Sequence, residues 1–92
     1  MDLKRLEKIS KALGDIHRLR ILADMAACGG SIQCARIMQL TELAQPSVSH
    51  HIKALIEAGL IAPEKEGRSY TYLLNKSLLK EFIEALEAIA GK

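Results

Sequence analysis

QPSVSHHIKALIEAGLI, residues 45–61, sets two serines and two histidines among apolar residues at helical spacing. Val48, Ile52, Leu55 and Ile56 fall within one arc at about 100° per residue, so that side faces a core. Pro46 suits a first turn, where its missing N–H has no partner to lose. The spacing predicts a helix from Gln45 to Ala58, stopped by Gly59. Opposite the apolar stripe come His50, Lys53, Ala54 and Glu57. Ser47 and His51 lie on one flank, Gln45 and Ser49 on the other.

Three chemistries use such residues, and spacing separates them. Serine hydrolysis needs a nucleophile, a base and an orienting acid around one pocket. Adjacent histidines on a helix point about 100° apart. Helical metal ligands take i,i+3 or i,i+4 spacing, and no carboxylate or thiolate partner is evident near this pair. A helix that reads DNA instead needs short hydrogen-bonding groups and small residues on its outward side and first turn. These let it enter a major groove about 12 Å wide. Gln45 can pair with adenine, Ser47 and Ser49 are permissive, and His50 can donate to guanine or phosphate. A blander arrangement packs His51 against the preceding helix and leaves only His50 exposed.

Upstream, Leu3, Leu6, Ile9 and Leu13 mark a first helix ended by Gly14. Asp15 caps a second, with Ile16, Leu19, Leu22 and Ala26 as its stripe, and Gly29-Gly30 stops it. SIQ is a short extended piece. CARIMQL then forms a brief third helix with Ile37 and Leu40 inward, joined to the fourth by Thr41-Glu42-Leu43. Downstream, LIAPEKEGRSYTYLLN has an apolar start, a charged glycine turn at Lys65–Arg68 and an alternating Tyr70-Thr71-Tyr72-Leu73. This is the signature of a β-hairpin spanning residues 61–74. Ser77 caps a last helix bearing Leu79, Phe82, Ile83, Leu86 and Ile89.

The expected fold is mostly α with a small β-hairpin, in the order α-α-(short β)-α-α-β-β-α. Helices three and four form a helix-turn-helix, and the hairpin behind them makes it a winged helix. Arg68 at the wing tip joins Lys53 as a backbone contact to double-stranded DNA.

Composition agrees without deciding. The 92 residues suffice for one domain, residues 1–92, with an aliphatic core, since Tyr70, Tyr72 and Phe82 are the only aromatics. Net charge is only +2, but residues 1–20 hold six Lys/Arg against three acids. Glu81, Glu84 and Glu87 make the last helix acidic on one side, an asymmetry that can steer a polyanion. No apolar run approaches the roughly 20 residues that span a bilayer, and no signal-peptide core opens the chain. A cytoplasmic protein with no membrane partner, and no enzyme, is expected.

KALGDIHRLRIL, the short third helix, QPSVSHHIKALIEAGLI and the EGRSYTYLLN hairpin together resemble the ArsR/SmtB family of bacterial winged-helix repressors, over about residues 5–75. The resemblance implies a homodimer paired through the first and last helices. It also implies a palindromic operator, released when a metal, metalloid or thiol-reactive species reaches a sensor site. Leu3, Leu6, Ile9, Leu79, Phe82, Ile83 and Leu86 would then be interface as much as core. A chain this short would struggle to bury both stripes alone.

The sequence departs from the family at several points. Ala44 replaces the serine that usually caps the reading helix. Gln33-Cys34-Ala35 stands where arsenic-sensing members carry Cys-x-Cys. KSLLKEFIEALEAI lacks the histidine of the zinc-sensing helix. Cys28 and Cys34 remain, either as a redox-active pair or site for a thiophilic metal, or as two small buried apolar-like residues. No other cofactor is expected. With structural cysteines, the chain would be an effector-independent regulator or a protein-binding module. With working ones alone, it would be a small thiol-redox or metal-trafficking protein.

Overall fold

The computed structural model describes residues 1–91. The elements are α1 (Leu3–Leu13), α2 (Ile16–Ala27), β1 (Ser31–Gln33), α3 (Cys34–Thr41), α4 (Gln45–Glu57), β2 (Ile61–Glu66), β3 (Ser69–Leu74) and α5 (Lys76–Ala90).

Side-chain caps begin three of the helices. Asp2 accepts from the Arg5 amide at 2.8 Å, and Asp15 accepts from His17 and Arg18 at 2.9 and 3.3 Å. Such bonds satisfy amides that a helix start leaves without partners. Arg18 also reaches back, its Nε donating to Ala12 O at 2.7 Å, so α2 is pinned to the end of α1. The cap of α5 is Asn75 rather than the expected Ser77: its side chain accepts from the Leu78 amide at 3.1 Å. Asn75 also donates from Nδ2 to Gly59 O at 3.0 Å and from its backbone to Leu60 O at 2.9 Å. These bonds fix α5 to the end of α4, which is why the helix starts at Lys76.

The hairpin forms as expected, with Gly67 and Arg68 as its two-residue tip between Glu66 and Ser69. Gly67 takes φ +62°, the left-handed backbone such a tight loop needs. The short SIQ segment pairs antiparallel with β3, Ile32 opposite Tyr72, giving a three-stranded sheet in the order β1-β3-β2. The wing is thereby anchored to the entrance of α3.

One core joins the helices to the base of the sheet. Ile9, Ile21, Met25, Leu55 and Leu60 are fully buried, with Ile37 and Val48 nearly so. The α4 stripe faces this core as its spacing requires: Val48, Ile52 and Leu55 are buried and Ile56 half-buried. Leu40 on α3 is half-buried.

Two expectations about inward faces need correction. On α2 the buried residues are Ile21, Leu22 and Met25, while Ile16 and Leu19 are 68% and 46% exposed. Ile9, expected at an interface as well as in the core, is sealed inside the chain and has no surface for a partner.

An apolar strip on α1 and α5 stays uncovered. Leu3 is 76% exposed, Ile83 52%, Leu86 44% and Ile89 66%. Leu6, Leu79 and Phe82 are half-buried beside them. The molecule is elongated, 44 × 22 × 21 Å.

Candidate nucleic-acid interface

The outward side of α4 is built by what its inward side must do. Because Val48, Ile52 and Leu55 are committed to the core, Gln45, Ser47, Ser49, His50 and Lys53 are left exposed. The turn before the helix is short, with Glu42 in the left-handed conformation at φ 56°. Thr41 sets up this turn, its hydroxyl donating to Ile37 O at 2.8 Å and accepting from the Leu43 amide at 3.5 Å. Ala44 precedes α4 without a side-chain cap, and Pro46 sits in the first turn.

His51 behaves differently from His50. It is buried, and it lies against the start of α2. Its ring lies 5.5 Å from the rings of both His17 and His50, centroid to centroid. Its Nδ1 stands 3.9 Å from Asp15 Oδ1. Burial pushes the imidazole below its ordinary pKa, against the pull of Asp15 and with the help of Arg18, His17 and His50. For Asp15, burial acts upward but is outweighed by the Arg18 and His17 amides and by the nearby positive charge, so the carboxyl lies below its usual value. His17 is remote in sequence from the His50-His51 pair, and no periodicity could have brought it there.

The wing adds a second exposed group. Arg68 is exposed at the tip, and Tyr70, 46% exposed, stacks on Tyr72 at 6.5 Å and an interplanar angle of 13°. The two tyrosines share one face of β3 because strand residues two apart point the same way. A cleft of 240 Å³ separates the wing from the start of α3, lined by Gln33, Cys34, Ala35, Arg68, Ser69 and Tyr70. Sequence spacing put Arg68 and Cys34 on separate elements; the β1–β3 pairing brings them to one cleft.

The two cysteines differ in setting. Both are free thiols, Cys28 exposed at the end of α2 and Cys34 half-buried as the first residue of α3. The expectation of two buried structural cysteines therefore fails for Cys28. Burial first, then the neighbouring Cys34 and Tyr70, raise the Tyr72 hydroxyl above its ordinary pKa. Among the described residues no group of three or more His, Cys, Asp or Glu side chains is arranged to hold a metal ion. The α3 start offers one thiol, and α5 offers carboxylates without a histidine or cysteine. No helix among the described residues is long and apolar enough to cross a membrane.

A short turn between two helices, a polar outward helix and an adjoining β-wing define a winged helix-turn-helix regulator. Residues 17–62 match the model of the bacterial regulatory protein arsR family. The arsenical resistance operon repressor of Staphylococcus aureus is 36% identical over 89 residues, spanning 97% of this chain and 84% of that protein. The crystal structure of an ArsR-family transcriptional regulator superposes with a TM-score of 0.85 at 26% identity, covering 99% of this chain and 91% of that one. The solution structure of a homodimeric winged helix-turn-helix DNA-binding domain from Mycobacterium bovis shares the fold, with a TM-score of 0.76 and 24% identity over 97% of this chain and 81% of that one. This chain belongs to the ArsR family of transcriptional regulators. Its relatives are regulators, not enzymes.

Proposed function

We propose that the protein is a homodimeric repressor that binds a palindromic DNA operator through α4 and the wing, and leaves it when an effector reaches the cysteines. The observation that carries this reading is the row of exposed polar side chains on α4 beside an exposed arginine wing tip. Gln45, Ser47, Ser49 and His50 read base edges, and Lys53 and Arg68 hold phosphates. In a two-fold dimer the two α4 helices enter successive major grooves about 34 Å apart.

The uncovered strip supports the dimer. Leu3, Ile83 and Leu86 are large, apolar and exposed, with Leu6, Leu79 and Phe82 beside them, the pattern of a face that a second copy covers. The homodimeric domain from M. bovis has the same fold.

The effector acts on thiols. Cys28 is open to solvent, and Cys34 shares a cleft with Arg68, so a group attached at Cys34 lies beside a proposed DNA contact. Joining the two cysteines releases two protons and two electrons, which a peroxide or polysulfide accepts. A thiophilic metal is the other effector of this class, and it requires further ligands to move into place.

The test is fluorescence anisotropy with DNA from upstream of the protein's own gene. His50→Ala should weaken binding mainly at the cognate sequence, whereas Arg68→Ala should weaken cognate and random DNA alike. Equal loss on both DNAs for His50→Ala contradicts base reading.

A further inference from the structure

All three histidines of the chain meet where α2 abuts α4. His51, 9% exposed, lies at the centre. Its Nδ1 is buried without a hydrogen-bond partner. Leaving a buried polar atom unpaired is costly, and protonation offers a remedy here. Asp15 Oδ1 is only 3.9 Å away, and a carboxylate has about four acceptor positions, so it can take another donor besides its two amides.

The charged and titratable groups acting on His51 come from both elements. Asp15, His17 and Arg18 face it from the start of α2, and His50 adjoins it on α4. Without DNA, burial first, together with Arg18, His17 and His50, outweighs Asp15 and disfavours the charged ring. DNA changes this balance. His50 is exposed on the proposed reading face, and its ring centroid is 5.5 Å from that of His51. Phosphates arriving at that face lie within reach of a Debye length of about 10 Å and favour the cation.

We propose that DNA binding is coupled to uptake of a proton by His51, which then donates from Nδ1 to Asp15 and fixes the reading helix against the start of α2. This rests on the DNA-binding reading above. His51 and Asp15 are positioning residues: neither touches a base, and their effect reaches DNA through the set of α4. The Asp15 carboxylate then serves two tasks, capping α2 and holding α4.

The experiment is an anisotropy titration of the full chain with its upstream DNA from pH 5.5 to 8 at constant ionic strength. Each proton taken up changes affinity by about tenfold per pH unit between the free and bound pKa values. Affinity should fall as pH rises, and His51→Gln and Asp15→Asn should both flatten the profile. A profile unchanged by His51→Gln, or one abolished by His50→Gln alone, overturns the coupling while leaving DNA binding intact. No binding at any pH overturns both. NMR titration of the histidines in the unaltered protein checks the same point without a variant. The His51 pKa should rise on adding DNA, and an unchanged or lower value refutes the proposal.

Discussion

Ile32 of β1 stands directly opposite Tyr72 of β3, and through this pair the wing is tied to the segment that leads into Cys34. Cys34 is also a close enough neighbour of Tyr72 to raise the pKa of its hydroxyl. A chemical change at Cys34 is therefore one side chain from β3 and one cleft from Arg68. Cys34 and the proposed DNA contact Arg68 thus line one cleft rather than standing at the ends of a long path.

Replacing both Cys28 and Cys34 by Ser should keep DNA affinity within about tenfold, equivalent to about 1.4 kcal/mol. It should abolish release by oxidant, polysulfide or arsenite. Anisotropy with and without each reagent measures both properties. An unchanged release would exclude the cysteines as the sensor.

The uncovered strip predicts an association. Ile83→Glu or Leu86→Glu puts a charge on the exposed apolar face of α5 and should convert a dimer to monomer by light scattering, with little loss of helix content. Both side chains are exposed within the chain, so the substitutions leave its buried core untouched. Disappearance of helix together with the dimer would show instead that the monomer does not fold alone.

Two capping substitutions should move stability in opposite directions. Ala44 gives α4 no side-chain cap, so Ala44→Ser should stabilise by about 0.5–1 kcal/mol. Asn75→Ala removes the α5 cap and the bond to Gly59, and should cost at least about 1 kcal/mol. Urea unfolding at fixed protein concentration compares them, since dimerisation makes stability depend on concentration.

The free protein should lose stability through His51 as pH falls. Its folded pKa is lowered mainly by burial, so the unfolded chain takes up the proton first. This contribution is complete above the unfolded value of about 6.5 and fades as pH drops from there towards the lower folded value. Denaturant midpoints from pH 7.5 to 5 should decline less in His51→Gln. A parallel decline in both proteins would show that His51 is not the group concerned.

Much of this architecture is legible in the sequence because α4 carries one unambiguous stripe. Once Val48, Ile52 and Leu55 face inward, the exposed row follows from 3.6-residue geometry. The wing is equally plain, with alternation in Tyr70–Leu73 and glycine at the turn. On α2 the pattern misleads, because Ile16 and Leu19 occupy one arc and Ile21 and Met25 nearly the opposite one. Apolar residues on two faces leave no single stripe to choose, and composition alone does not say which face meets the core. β1 is three residues long, too short for alternation to announce its pairing. The Asp15–His51 approach joins positions with no periodic relation, so only the tertiary fold reveals it. The cap at Asn75 is hidden because Ser77 also has a capping side chain, and the bonds from Asn75 to Gly59 and Leu60 decide between them.

The central claim, that α4 and the wing form a DNA-binding surface, is tested most directly by measuring affinity for upstream DNA against salt concentration. A linear fall of log affinity with log salt is expected, with a slope of about −0.9 per phosphate neutralised. Lys53→Ala and Arg68→Ala should each make that slope shallower by about one for every phosphate no longer neutralised. Absent binding, or binding indifferent to salt and to both substitutions, would contradict it.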